Sequence, residues 1–189
     1  MTHTDIVLVG VGGQGTLLAS RVLGALAVLA GRDVKVSEVH GMAQRGGSVV
    51  TYVRLGEGVC APLVEAAGAD YVLAFEQMEA VRALPYLKAG GTMIVNTQKI
   101  PPMPVITGAA SYPSDLLSRL EGKCRLVTMD ALALAEQAGV ARAVNLALLG
   151  KLSAMMDFEQ QDWLRAIEQC VPQKVLEANL RAFELGSQA

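Results

Sequence analysis

The strongest constraint in this sequence is a glycine turn set between an apolar run and a long helix-forming stretch. Ile6-Val7-Leu8-Val9 is continuous and apolar, Gly10-Val11-Gly12-Gly13-Gln14-Gly15 follows, and Thr16 to Ala30 carries Leu18, Val22, Leu26 and Leu29 at helical spacing. The turn fits G-x-G-x-x-G after a predicted strand and before a predicted helix, the context in which that pattern has physical meaning. Gly10 allows the tight turn, Gly12 and Gly13 let another group approach the backbone, and Gly15 permits close helix packing. Exposed amides from Gly12 through Gln14 to Gly15 then favour an anion such as a diphosphate. The plain alternative is a tight β-α turn with no ligand.

Gly31 ends the helix, and Val34 to Val39 alternates as a second strand. His40 to Ser48 is too short for the crossover of about a dozen residues that a parallel pair needs, so the third strand, Ser48 to Leu55, is expected to pair antiparallel. Tyr71 to Phe75, Thr92 to Val95 and Arg125 to Thr128 are further strand candidates. Helices are predicted over 77–87, ahead of a Gly90-Gly91 turn, and over 114–120. Pro101, Pro102 and Pro104 break the chain between these stretches. From Asp130 the pattern is helical: 131–138, 143–155, 159–171 and 173–185, with no strand between. The expected fold is a single Rossmann-like α/β domain over 1–189. Its sheet is mixed and mostly parallel, flanked by helices, and its last third, from about residue 130, is helical.

Composition narrows the function classes. Sixteen Lys and Arg against eighteen Asp and Glu, without a long run of either sign, leave no electrostatic footprint for nucleic acid or an anionic membrane. No apolar run reaches the roughly 18 residues of a membrane span, and Met1 to Asp5 lacks a secretory start, so the expected compartment is the cytoplasm. At 52% hydrophobic and only 18% charged, the chain has apolar surface to spare for a subunit interface, with a partner or with a second copy. Cys60, Cys124 and Cys170 are scattered, and with only His3 and His40 no metal set is readable.

A second glycine loop concentrates polar chemistry: Glu38, His40, Gln44 and Arg45 with Gly41, Gly46 and Gly47. Arg45 can pair bidentately with a carboxylate or phosphate, and Gly46 and Gly47 allow unusual backbone angles and close approach. His40 can titrate near neutrality or satisfy a backbone carbonyl. Glu38 also stands about twenty residues beyond Gly15, where a dinucleotide fold would place its ribose carboxylate. The loop is expected to lie at the strand ends beside the first glycine turn.

From GVGGQG through SEVHGMAQRGGSVVTYVRLG, the chain resembles the gamma-type domain of 2-oxoacid:ferredoxin oxidoreductases. The spelling MAQRGGSV is most similar to the small subunit of the indolepyruvate type. ARAVNLALLG, residues 141–150, matches the family's helix carrying an Asn ahead of Leu-Gly. The resemblance implies oxidative decarboxylation of a 2-oxoacid to an acyl-coenzyme A, with electrons passed to ferredoxin. Thiamine diphosphate, its magnesium and the iron–sulfur clusters would sit on a large partner subunit, since this chain has neither a G-D-G…N stretch nor closely spaced cysteines. Glu38, His40, Gln44 and Arg45 would then line the reaction chamber. Gly10, Gly12, Gly13, Gln14, Gly15, Gly46, Gly47 and Asn145 would face a cofactor, coenzyme A among the candidates. Asn145 has a structural alternative, as a cap or an interhelical hydrogen bond. Two other functions stay open at this point: a stand-alone NAD(P)-dependent oxidoreductase, and a small regulatory module that senses a nucleotide or acyl-coenzyme A.

Overall fold

The computed structural model describes residues 3–41 and 46–189. Among these residues six strands form one sheet: β1 (His3–Val11), β2 (Asp33–His40), β3 (Ser48–Gly56), β4 (Ala69–Ala74), β5 (Leu87–Asn96) and β6 (Arg125–Met129), in the order β2-β3-β1-β4-β5-β6. Strands β1, β4, β5 and β6 are parallel, while β3 runs antiparallel to both β1 and β2. The short 41–47 connection therefore closes a β2–β3 hairpin, as the loop length requires, and β2 is left as an edge.

Seven helices lie among the described residues: α1 (Thr16–Leu29), α2 (Gln77–Ala83), α3 (Met103–Ile106), α4 (Ala131–Gln137), α5 (Val144–Ser153), α6 (Gln160–Cys170) and α7 (Gln173–Gln188). Both faces of the sheet are covered, which is why β1 reads as an unbroken apolar run instead of an alternating one. Ile6 and Leu8 pack with α1 and the C-terminal helices, whereas Val7 and Val9 pack with α2 and the chain around Leu117 and Leu120. None of these helices is long and apolar enough to cross a membrane.

The C-terminal helices cover one face through a close crossing of α5 and α7. A Cβ built on Gly150 would stand 2.0 Å from the Phe183 carbonyl oxygen, and one on Gly186 only 1.9 Å from that of Ala147. The two backbones touch because both residues are glycine. Trp163 on α6 is 1% exposed and packs edge-on to Phe158 and tilted against Phe183.

Three local expectations need correction. The helix predicted over 77–87 stops at Ala83, a 3-10 turn covers Leu84–Tyr86, and β5 already begins at Leu87. Gly90 and Gly91 thus lie inside a strand, where Gly90 takes a left-handed φ of 78° and the register against β4 shifts between Ala69 and Tyr71. They serve a bulge, not a turn. No helix forms over 114–120: Leu116 to Leu120 make successive turns, and the Ser118 hydroxyl bonds back to the Asp115 carbonyl.

Candidate functional site

The crossover from β1 leaves toward β2 and the crossover from β4 leaves toward β5, so their first turns part at the carboxyl ends of β1 and β4. This is the topological switch point at which open α/β sheets hold ligands. The β3 strand starts at the same end, with Ser48 opposite Val11 and Val49 opposite both Gly10 and His40.

The two glycine loops are joined there by backbone hydrogen bonds. Gly12 N–H donates to the Gly47 carbonyl at 2.8 Å, and Gly46 N–H donates to the Gly12 carbonyl at 3.4 Å. Gly13 and Gly15 adopt φ of 106° and 87°, and Gly46 a φ of 75°, all in the left-handed region that favours glycine. Gly10 admits no side chain without pressing on Phe75 Cβ and Gln14 Oε1, both 3.0 Å from a built Cβ. A cleft of about 460 Å³ opens beside the joined loops, lined by Gly12, Gly13, Gly15, Thr16, Leu17, Glu38, His40 and Val49.

Glu38 and His40 both line that cleft, from the face of β2 that also carries Val34 and Val36. The Glu38 carboxylate accepts from the hydroxyl of the buried Thr51 at 3.2 Å, and His40 is exposed at the rim. Gln44 and Arg45 lie outside the described residues. The α1 N-terminus carries no side-chain cap, so its first amides are open to the cleft.

Gln14 and Asn145 sit at the turn in a different way from a residue that reaches toward a ligand. Gln14 turns its amide inward: Oε1 accepts from Val11 N–H at 2.8 Å, and Nε2 donates to the Phe75 carbonyl at 2.9 Å and to Gln98 Oε1 at 3.3 Å. It locks the turn to the ends of β4 and β5. Asn145, 2% exposed on α5, donates through Nδ2 to the Gly15 carbonyl at 3.2 Å and accepts from Leu146 N–H at 3.0 Å. Both line a second cleft of about 330 Å³ on the other flank of the turn, with Leu18, Gln98, Leu132 and Arg142.

A third group at this end was not singled out from the sequence. Glu76, 1% exposed, follows β4 and caps α2 through Oε2, which accepts from the amides of Met78 and Glu79. Its Oε1 accepts from Ile100 N–H at 3.2 Å and from the Tyr112 hydroxyl. Burial and the neighbouring Glu76 carboxylate push the Tyr112 hydroxyl well above the ordinary tyrosine range. Glu79, 4% exposed, accepts from the Ser48 hydroxyl at 2.5 Å and pairs with Arg82 at 2.5 Å. The signal was available: an acidic residue directly after a buried parallel strand occupies the site-bearing end of the sheet. Among the described residues, no three His, Cys, Asp or Glu side chains gather into a metal-binding set.

Residues 5–189 match the family model described as pyruvate ferredoxin/flavodoxin oxidoreductase. The chain belongs to that family. Across all of its length it is 42% identical to the indolepyruvate oxidoreductase subunit IorB of Thermococcus kodakarensis, 96% of which is covered. Among solved structures of the pyruvate oxidoreductase family fold, the subunit PORC of Thermotoga maritima superposes with a TM-score of 0.75 at 22% identity, covering all of this chain and 97% of that one. The 2-oxoglutarate:ferredoxin oxidoreductase of Magnetococcus marinus, with 2-oxoglutarate, coenzyme A and succinyl-CoA bound, superposes with a TM-score of 0.79 at 18% identity. It covers all of this chain and 31% of that one. These likenesses carry the fold, and the family match makes the chain part of an oxidoreductase.

Proposed function

We propose that this chain is the small, gamma-type subunit of an indolepyruvate-class 2-oxoacid:ferredoxin oxidoreductase, working over residues 1–189 as one domain that completes a reaction chamber on a large partner subunit. The observation that carries the reading is the pair of backbone hydrogen bonds between Gly12 and the Gly46-Gly47 segment, which makes one wall of two loops. Amides at the open start of α1 suit the diphosphate of coenzyme A, and Glu38 and His40 offer a carboxylate acceptor and an imidazole ring beside it.

Thiamine diphosphate with magnesium and the iron–sulfur clusters, on the partner, would supply decarboxylation and electron transfer to ferredoxin. The residues of this chain bind, orient and exclude water. We place the large subunit against the face formed by Leu17, Val28, Leu29 and Val36, which are exposed on α1 and the β2 edge. Leu17 lines both the cleft and the adjoining apolar groove, so that face runs into the cleft without a break. The complex is placed in the cytoplasm.

Reconstitution with the large subunit tests this reading. The isolated chain is expected to show no turnover, and the complex to turn over with coenzyme A. Glu38→Gln and His40→Asn should lower kcat/KM for coenzyme A by about tenfold, roughly one lost charge-assisted hydrogen bond each. Full turnover by the isolated chain, tight binding of NAD or NADP by it, or unchanged kinetics in both variants would overturn the reading.

A further inference from the structure

We infer that Glu79 is a positioning residue: through the hydroxyl of Ser48 it ties the second glycine loop to α2, and so steadies the wall that faces coenzyme A. The inference rests on the functional reading of that wall given above. Ser48 is the first residue of β3 and follows directly on Gly46 and Gly47, whose backbone pairs with Gly12. As an exposed residue, Ser48 could donate its hydroxyl hydrogen bond to water. It donates instead to a carboxylate that is 4% exposed, across 31 positions of sequence, at 2.5 Å.

The carboxylate itself is held from two sides. Arg82, one turn along α2, takes Oε1, and the first turn of α2 is fixed by the Glu76 cap. A charge-assisted bond of this kind is short and directional, so it adds a tie at Ser48, the residue opposite Val11 at which β3 begins. Besides it, the loops are linked by the two Gly12 hydrogen bonds, the second of them long at 3.4 Å, and by the Val11–Ser48 register at the end of the β1–β3 ladder. Glu79 is not among the residues that line the coenzyme-facing cleft; its hydrogen bond to the second loop, among the described residues, is to Ser48. Its neighbour Glu76 serves the other side of the rim, where one carboxylate ties together Ile100 and Tyr112 at the two ends of an exposed proline-bearing arm.

The test uses the reconstituted complex with Ser48→Ala, Glu79→Leu and the conservative Ser48→Thr, and two readouts. Hydrogen exchange at the Gly12 and Gly46 amides reports the brace directly. Exchange should rise about tenfold in Ser48→Ala and Glu79→Leu and stay near wild type in Ser48→Thr, the scale expected for one such hydrogen bond. Steady-state kinetics report the consequence: KM for coenzyme A should rise about tenfold with kcat within about twofold, again with rescue in Ser48→Thr. Ser48→Ala, at an exposed strand end, keeps the test valid if Glu79→Leu fails to fold. Unchanged exchange in Ser48→Ala overturns the brace, whatever turnover does. Faster exchange with unchanged kinetics leaves the brace standing and overturns the assignment of this wall to coenzyme A.

Discussion

Replacing Gly15 by Ala tests how the glycine turn is built. The residue sits at φ 87°, where an L side chain costs about 1–2 kcal/mol. Its new Cβ would also stand 2.7 Å from Nδ2 and 3.2 Å from Cγ of Asn145, a side chain that is 2% exposed and has little room to retreat. Displacing that amide forfeits two hydrogen bonds, to the Gly15 carbonyl and from Leu146 N–H, at about 0.5–1.5 kcal/mol each. The single change should therefore destabilise by about 2–5 kcal/mol. In an Asn145→Ala background the obstacle is gone, and the same change should cost only the backbone strain, about 1–2 kcal/mol. Urea unfolding followed by the fluorescence of Trp163, the sole and buried tryptophan, measures all four corners of the cycle. Gly13→Ala is the control, at φ 106° with nothing within 4 Å of a built Cβ, so its cost should not depend on Asn145. Additivity of Gly15→Ala and Asn145→Ala to within about 0.5 kcal/mol would refute the contact account.

Other consequences are open to direct measurement. Gly150→Ala or Gly186→Ala forces apart the backbones of α5 and α7 and should cost about 3 kcal/mol or more, at the upper end for overpacking, read from the same unfolding curves; a loss below about 1 kcal/mol would mean that the crossing is looser than described. Burial and the Tyr86 hydroxyl push Tyr52 up to about 12, and Tyr112 is raised as well, so the fold favours both neutral phenols. Each folded value lies above the unfolded value of about 10, so this contribution is complete below about pH 10 and is lost as pH climbs through the folded values. Denaturation midpoints should fall across that window, and Tyr52→Phe should flatten the slope. Burial raises the thiols of Cys124 and Cys170, while Cys60 is exposed, so timed alkylation with mass spectrometry should modify Cys60 first.

Much of the site-bearing end was legible in the residue order, because it depends on local rules. The Ile6–Val9 run, the glycines and the α1 periodicity lie within a single strand-turn-helix, and the short 41–47 connection left antiparallel pairing as the physical solution for β2 and β3. What escaped depends on distant partners. Gln14 reads as a side chain at a ligand turn, yet its amide reaches inward to Phe75 and Gln98, positions that only the β1–β4–β5 order brings near. Glu76 and Glu79 read as ordinary charges at a helix start, and nothing local tells that Tyr112, Ile100 and Ser48 will cover them. The Gly90-Gly91 pair signals a bend correctly but not whether the strand stops there.

The reversed direction of β3 also governs how this end can vary. In a wholly parallel sheet the chain leaving β2 would have to travel back to the far end before another strand could start, taking its loop away from the crevice. Here β3 begins where β2 ends, with Val49 opposite His40, so both ends of this hairpin connection stay at the mouth. Chain closure depends only weakly on the number of residues enclosed, so such a connection can be lengthened, trimmed or respelled while every strand keeps its register. The rim of the crevice is thus free to change without disturbing the foundation beneath it.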